Sequence, residues 1–377
     1  MAGIYIHFPF CKKACTYCNF HFSTSLNYQK IMVESMLKEI DLRKSFFSKE
    51  LIDSIYFGGG SPSLLSAKLI GEFILKIKKI FNVSDLVEIT LEMNPDDSSR
   101  DYLLELKENK VNRLSLGVQS FFDDDLKLIN RIHSANDAIE SLKIIKDTFN
   151  NFSIDLIYGL PYSNIQKWEY NLKTALKFEP PHISSYALTV ENKTVLKKQV
   201  DNGNTKLIDE ALVEEQYFYM IDLLEKNNYD NYEFSNFAFP KNYSVNNNGY
   251  WKGNPYMGIG PSAHSFNGKN KRSWNVKHNK LYIKSIKENK LLFNEENLSL
   301  KDRFNEIVMT GLRTSSGISL KTIREKIGEK YADFLEKTSE KRVISNDLYW
   351  DADNLHVSKK SKFLTDGIAS DLFLINL

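Results

Sequence analysis

Cys11, Cys15 and Cys18 are the only cysteines in the chain, and they fall within eight positions directly behind an apolar run, Ile4 to Phe8. Thiolates at x3 and x2 spacing on one strand-end loop can point at a common centre. A [4Fe–4S] cluster normally takes four Cys ligands, so three would leave one iron open to a small molecule. Zinc is the other metal reading, because Cys3His sites exist and His7 and His21 flank the cysteines. Three unliganded thiols packing as small hydrophobes are the plainest alternative. An odd, clustered set cannot close a disulfide framework, so a reducing, cytoplasmic setting is expected.

Other polar residues fall where strands should end. Gly58-Gly59-Gly60-Ser61-Pro62 follows the run Ile52 to Phe57, and glycines there let backbone approach a ligand and present N–H groups. Glu92 closes the run Glu88 to Glu92, and Gln119 follows Arg113 to Val118. At the C-terminal ends of barrel strands such side chains face a site. Asp155 lies in the run Ser153 to Tyr158, within Ile154-Asp-Leu-Ile-Tyr-Gly-Leu-Pro161 and apolar on most sides, where a carboxylate is costly unless paired or bound. Arg131 is one candidate partner. The basic run Lys269 to Arg272 reads as a solvated loop.

These residues need a scaffold, and the periodicity supplies one. The five strand-like runs above and a sixth, Ile183 to Val190, alternate with helical stripes such as Tyr28, Met32, Met36, Ile40 and Ile208, Leu212, Tyr219, Leu223. Six βα units are fewer than the eight of a full barrel. The expected fold is therefore α/β, a partial barrel over residues 1–227, with a doubly wound sheet as competitor. After Asn227 the composition shifts. Asn246-Asn247-Asn248-Gly249 reads as turn or loop, Lys301 to Thr314 and Ser319 to Tyr331 as helices, and the tail, including Phe363 to Asp366, as short strands. Residues 228–377 are expected to form a smaller α+β domain. Of 377 residues, 42% are hydrophobic and 26% charged, with 50 basic against 48 acidic, which fits a globular chain with no bulk attraction to nucleic acid. No apolar run approaches the length of a membrane span.

The segment from Tyr5 through Cys11-Lys-Lys-Ala-Cys15-Thr-Tyr-Cys18 resembles the C-x3-C-x2-C signature of radical S-adenosylmethionine (SAM) enzymes. More narrowly, it resembles the group that holds oxygen-independent coproporphyrinogen oxidase and its haem-chaperone relative. The resemblance implies a partial (β/α)6 barrel and a [4Fe–4S] cluster on Cys11, Cys15 and Cys18, with SAM on the fourth iron. Gly59, Gly60 and Ser61 match the family's GGG[ST]P motif. Glu92, Gln119, Arg131 and Asp155 match its E-x-N-P, GVQS, NR and DLIYGLP motifs, and Tyr5, Tyr17 and Ala187 correspond to further SAM contacts. The implied chemistry is one-electron cleavage of SAM to methionine and a 5′-deoxyadenosyl radical.

Two departures favour the chaperone branch. The oxidase has another cysteine two residues after the third, where this chain has Phe20, and it carries an N-terminal arm ahead of its Tyr, where this chain has four residues before Tyr5. The implied function is binding haem as cargo and delivering it to haem-requiring client proteins; oxidative decarboxylation of coproporphyrinogen III is the alternative. One departure runs the other way. The branch's H-N-x-x-Y-W motif is Asn246-Asn247-Asn248-Gly249-Tyr250-Trp251 here, and Asn is a poor iron ligand compared with imidazole. His264, after the Gly-rich Gly258 to Ser262, is the substitute candidate for a haem contact.

Overall fold

The computed structural model describes residues 1–375. Six parallel strands build the first part in chain order: β1 (Ala2–Phe8), β2 (Ile52–Gly59), β3 (Val83–Met93), β4 (Arg113–Gln119), β5 (Phe152–Tyr158) and β6 (His182–Ala187). Helices on the outer face cover them. In Ala67–Ile80, Ser66 caps the first turn by accepting from the Leu69 N–H, and Ile70, Phe73, Ile74 and Ile77 are buried against the sheet. This is the α/β partial barrel expected from periodicity.

The sheet continues beyond the barrel on both sides. β7 (Asp230–Glu233) and β8 (Asn236–Ala238) extend it, β8 running antiparallel to β6, while β9 (Tyr256–Ile259) pairs parallel to β1 and leads to β10 (His264–Phe266), β11 (Lys271–Asn275) and β12 (Phe293–Asn297). Twelve strands thus form one sheet. Tyr229, Phe237, Met257, Ile259, Tyr282 and Ile286 belong to the barrel's apolar core. A separate core runs from Phe304 to Leu374 around a three-stranded sheet, β13 (Ile318–Ser319), β14 (Leu348–Asp351) and β15 (Asn354–Val357). The composition shift at 227 therefore marks the end of the last barrel helix, Glu210–Lys226, whereas the apolar cores divide near residue 299.

Four local expectations differ from the structure. Asn246 to Gly249 lies in a helix, Val245–Trp251, because Ser244 accepts from the Asn247 N–H and Glu88 accepts from the Val245 N–H at 3.0 Å; a cap and a tertiary acceptor override poor local propensity. The helix begun at Ser319 stops at Lys326, since Gly328 turns the chain at φ +122° before Glu329–Ile344. Phe363 to Asp366 is helical, not strand. Lys271 and Arg272 start β11 and pair with Glu295, Glu296 and Glu306, so only the preceding residues form a loop.

One buried carboxylate fastens the β9–β12 extension to the barrel. Glu39, fully buried, accepts from Arg43 Nε at 2.7 Å, Asn275 Nδ2 at 2.7 Å, the Gly260 N–H at 2.8 Å and the Tyr282 hydroxyl at 2.5 Å. Glu39→Gln turns an amide N–H₂ toward those donors and removes the counter-charge of buried Arg43. We expect a loss of about 2–3 kcal/mol, read as a lower denaturation midpoint at unchanged m-value.

Candidate functional site

The strands' inward faces are polar. Register sets Tyr5 beside Tyr56, Tyr56 beside Thr90 and Thr90 beside Arg113. A second rung runs Glu92, Ser115, Ser153, His182, and a third Gly117, Asp155, Ser184. Because side chains alternate along a strand, these rungs line the hollow of the half-barrel. From these rungs Tyr5, Tyr56, Glu92, Arg113, Ser115, Gly117, Asp155 and Ser184 bound a cavity of about 600 Å³, within the range of cofactor sites. Its mouth carries Cys11, Cys15, Cys18 and Tyr17; Gly59, Gly60, Ser61, Gln119, Arg131 and Ala187 lie along the strand ends; Tyr5, Glu92 and Asp155 stand on the wall. All thirteen site residues expected from the sequence therefore meet in one cavity.

The cysteine loop is tied down by groups other than the thiols. The Cys11 N–H donates to Ser23 O at 3.1 Å, the Thr16 N–H to Ile129 O at 3.1 Å, and Asn130 Nδ2 to Ala14 O at 2.6 Å. Lys12 binds Asp96 at 2.9 Å and also Asp97. The three thiols are free and half-buried. Burial pushes the Cys11 thiol up to about 11, against a hydrogen bond from Ser61 that lowers it, and burial also raises Cys18. A desolvated, thiol-lined pocket of this kind suits a soft metal centre that holds thiolates outright.

The flanking histidines do not join it. His7 Nε2 donates to His21 O at 2.8 Å, leaving Nδ1 to accept from the Tyr5 hydroxyl at 3.3 Å, and His21 Nε2 donates to Asn279 Oδ1 at 2.7 Å. Among the described residues no three His, Cys, Asp or Glu side chains gather round a single-ion position. The Cys3His zinc reading lacks its fourth ligand. The donor set fits a multi-iron cluster that spreads three thiolates over three irons.

Arg131 is not the partner of Asp155. It donates to Asn94 Oδ1 at 2.8 Å and to Gly117 O at 2.6 Å, and its Nη1 lies 3.5 Å from Cys15 Sγ. Asp155 is held by Ser115 Oγ at 2.9 and 3.1 Å and Ser153 Oγ at 3.1 Å. Burial raises Asp155 despite those donors. Glu92 accepts from the Tyr56 hydroxyl at 2.8 Å; burial pushes it up to about 7, with Asp155 adding to the rise. Two desolvated carboxyls on one wall suit a cationic ligand. Gly60 is required by close approach: a Cβ there would overlap the carbonyl oxygens of Phe10 and Phe8. Gln119 takes φ +68°, a region that non-glycine residues seldom occupy and that recurs at functional sites.

Sequence reasoning missed Tyr56, Asn94, Arg113, Ser115 and Ser184, which also line the cavity. Strand pairing and parity were the available signals. Tyr56 pairs with Tyr5, Ser115 with Glu92 and Ser184 with Asp155; Asn94 stands two residues from Glu92, and Arg113 two from Ser115. Asn246, Asn247 and Tyr250 also line the cavity, whereas His264 is exposed, stacks on Trp274 at 5.8 Å and is not part of the lining.

A half-barrel of six βα units with three cysteines on the loop after its first strand defines a radical SAM protein, and the model of the radical SAM superfamily matches residues 5–175, with that of the HemN C-terminal domain matching 298–360. The chain is similar to "Heme chaperone HemW" of Lactococcus lactis, 33% identical over 97% of both chains, and of Bacillus subtilis, 33% identical over 92% and 93%. It belongs to the HemW family. It is also similar to the zebrafish protein "Radical S-adenosyl methionine domain-containing protein 1, mitochondrial", 36% identical over 70% of this chain and 60% of that one. The solved structure of Escherichia coli coproporphyrinogen III oxidase (HemN) shares the fold at TM-score 0.84 and 22% identity, covering 100% of this chain and 90% of that one. The family brings with it SAM and a [4Fe–4S] cluster. Among the described residues no helix is long and apolar enough to cross a membrane.

Proposed function

We propose that this chain is a haem chaperone: it binds haem as cargo and passes it to haem-requiring client proteins, working in the reducing cytoplasm. Full-length similarity to curated HemW chaperones carries the reading. Cys11, Cys15 and Cys18 hold the cluster. Gly59, Gly60 and Ser61 present backbone to SAM, Glu92 and Asp155 face its positive charge, Tyr5, Tyr17 and Ala187 pack around it, and Gln119 and Arg131 position it. A [4Fe–4S] cluster held by these three thiolates would supply one-electron reduction of the SAM sulfonium. The chain's own residues orient SAM, exclude water and fix the thiolate loop.

Haem titration of the anaerobically reconstituted chain, followed by transfer to an apo haem protein, tests this. We expect stoichiometric binding and transfer. Absence of binding, with coproporphyrinogen III converted to protoporphyrinogen IX, would replace the chaperone with the oxidase. His264→Ala should leave haem affinity unchanged, because that ring lies outside the cavity lining.

A further inference from the structure

The cavity is longer than its SAM end. Arg113 and Ser184 line it from the N-terminal halves of β4 and β6, and Asn246, Asn247 and Tyr250 line it from the helix Val245–Trp251. Arg113 stands four strand positions before Gly117, about 13 Å at 3.3 Å per position. Arg113 is 2% exposed, yet its Nε has no hydrogen-bond partner. Thr90, its register neighbour, also has an unpartnered buried hydroxyl.

Glu88 supplies a buried counter-charge to Arg113 but no hydrogen bond. Glu88 Oε2 stands 3.8 Å from Arg113 Nε, too far for a hydrogen bond, while Glu88 Oε1 already accepts from the Val245 N–H. Asp155 is taken by Ser115 and Ser153. A buried guanidinium whose Nε lacks a hydrogen-bond acceptor is costly even beside a counter-charge. Its planar fork matches a carboxylate, which can accept two parallel N–H bonds, and the Tyr250 and Asn246 side chains in the same lining supply further polar atoms.

We infer that the inner end of the cavity is a carboxylate-binding subsite, with Arg113 as its anchor, and that it receives a carboxylate side arm of the cargo. The identity of that side arm as a haem propionate rests on the chaperone reading; the subsite itself rests on Arg113. In this chain the helix Val245–Trp251 contributes Asn246 as a polar wall residue, a role that needs no metal ligation.

Three comparisons on the full, cluster-loaded chain test the inference. Haem should bind wild type roughly 10- to 100-fold more tightly than haem dimethyl ester, and Arg113→Met should lose a similar factor for haem. The ester should bind Arg113→Met as well as it binds wild type, because the partner group is already gone. Arg113→Lys, which keeps the charge but not the fork, should fall between. Equal losses for haem and ester would make Arg113 merely structural and overturn the subsite, as would no loss in either. If wild type binds neither porphyrin, the chaperone reading fails and sodium propionate becomes the probe: a rise in melting temperature for wild type but not Arg113→Met supports the subsite, and equal shifts overturn it.

Discussion

Cys15→Ser should abolish cluster assembly: after anaerobic reconstitution the variant is expected to hold almost no sulfide-bound iron, where wild type holds about four irons per chain. The three thiols share one anchored loop and line one cavity, and there is no fourth cysteine to substitute. Serine is a hard oxygen ligand and a poor replacement for thiolate on iron–sulfur centres. Cys15 Sγ also lies 3.5 Å from Arg131 Nη1, a counter-charge for a metal-bound thiolate. The loop itself should survive, since its anchors are the Thr16 N–H, Asn130, Lys12 and backbone carbonyls. Unfolding of the cluster-free variant should therefore match that of cluster-free wild type, which separates loss of a ligand from loss of a fold. Four irons retained in Cys15→Ser, or a colourless wild type with stoichiometric zinc, would remove the cluster assignment.

The barrel was legible because its strands are short and its helices carry apolar stripes; six of the runs read from the sequence overlap β1 to β6. The site was legible where motif residues stand at strand ends, as with Glu92 and Gln119. What was hidden depends on contacts between distant segments. Arg131 looked like a partner for Asp155, but Gly117 O and Asn94 compete for its guanidinium, and the serines of the same and neighbouring strands satisfy the carboxylate. The Asn-rich helix at Val245 is invisible to propensity because half of its N-terminal support comes from Glu88, 157 residues earlier in the chain. The shared sheet escaped for a similar reason: β9 pairs with β1 across most of the sequence, and composition alone carries no signal of that pairing.

Glu92→Gln should lower SAM affinity by about 10- to 100-fold at about pH 8 and much less at about pH 5.5. SAM carries a sulfonium and an ammonium against one carboxylate, so a net positive ligand needs the ionised form of Glu92. Burial, aided by the Asp155 charge, holds that carboxyl at about 7, even though the Tyr56 hydroxyl and the Gly59 backbone pull it down. Below pH 7 binding must expel a proton, so wild-type affinity should climb with pH up to about 7 and then level. The amide of Glu92→Gln has no proton to lose, and that variant's curve should be flat. A hydrogen bond to a charged group is worth about 1.5–3 kcal/mol, which sets the size of the drop. Stability runs in the opposite direction. A carboxyl raised from 4.5 to about 7 on folding binds protons more tightly in the native state, so its contribution is present below 4.5 and is lost as pH rises to 7. SAM-free wild type should therefore lose stability over that window, while Glu92→Gln loses less and becomes relatively more stable at about pH 8. Calorimetric SAM titrations in buffers of different ionisation enthalpy, with urea midpoints across the same pH range, measure both. A wild-type affinity independent of pH between about 5.5 and 8 would show that Glu92 does not face the cation, and the cavity wall opposite the thiols would then have to find its counter-charge at Asp155 alone.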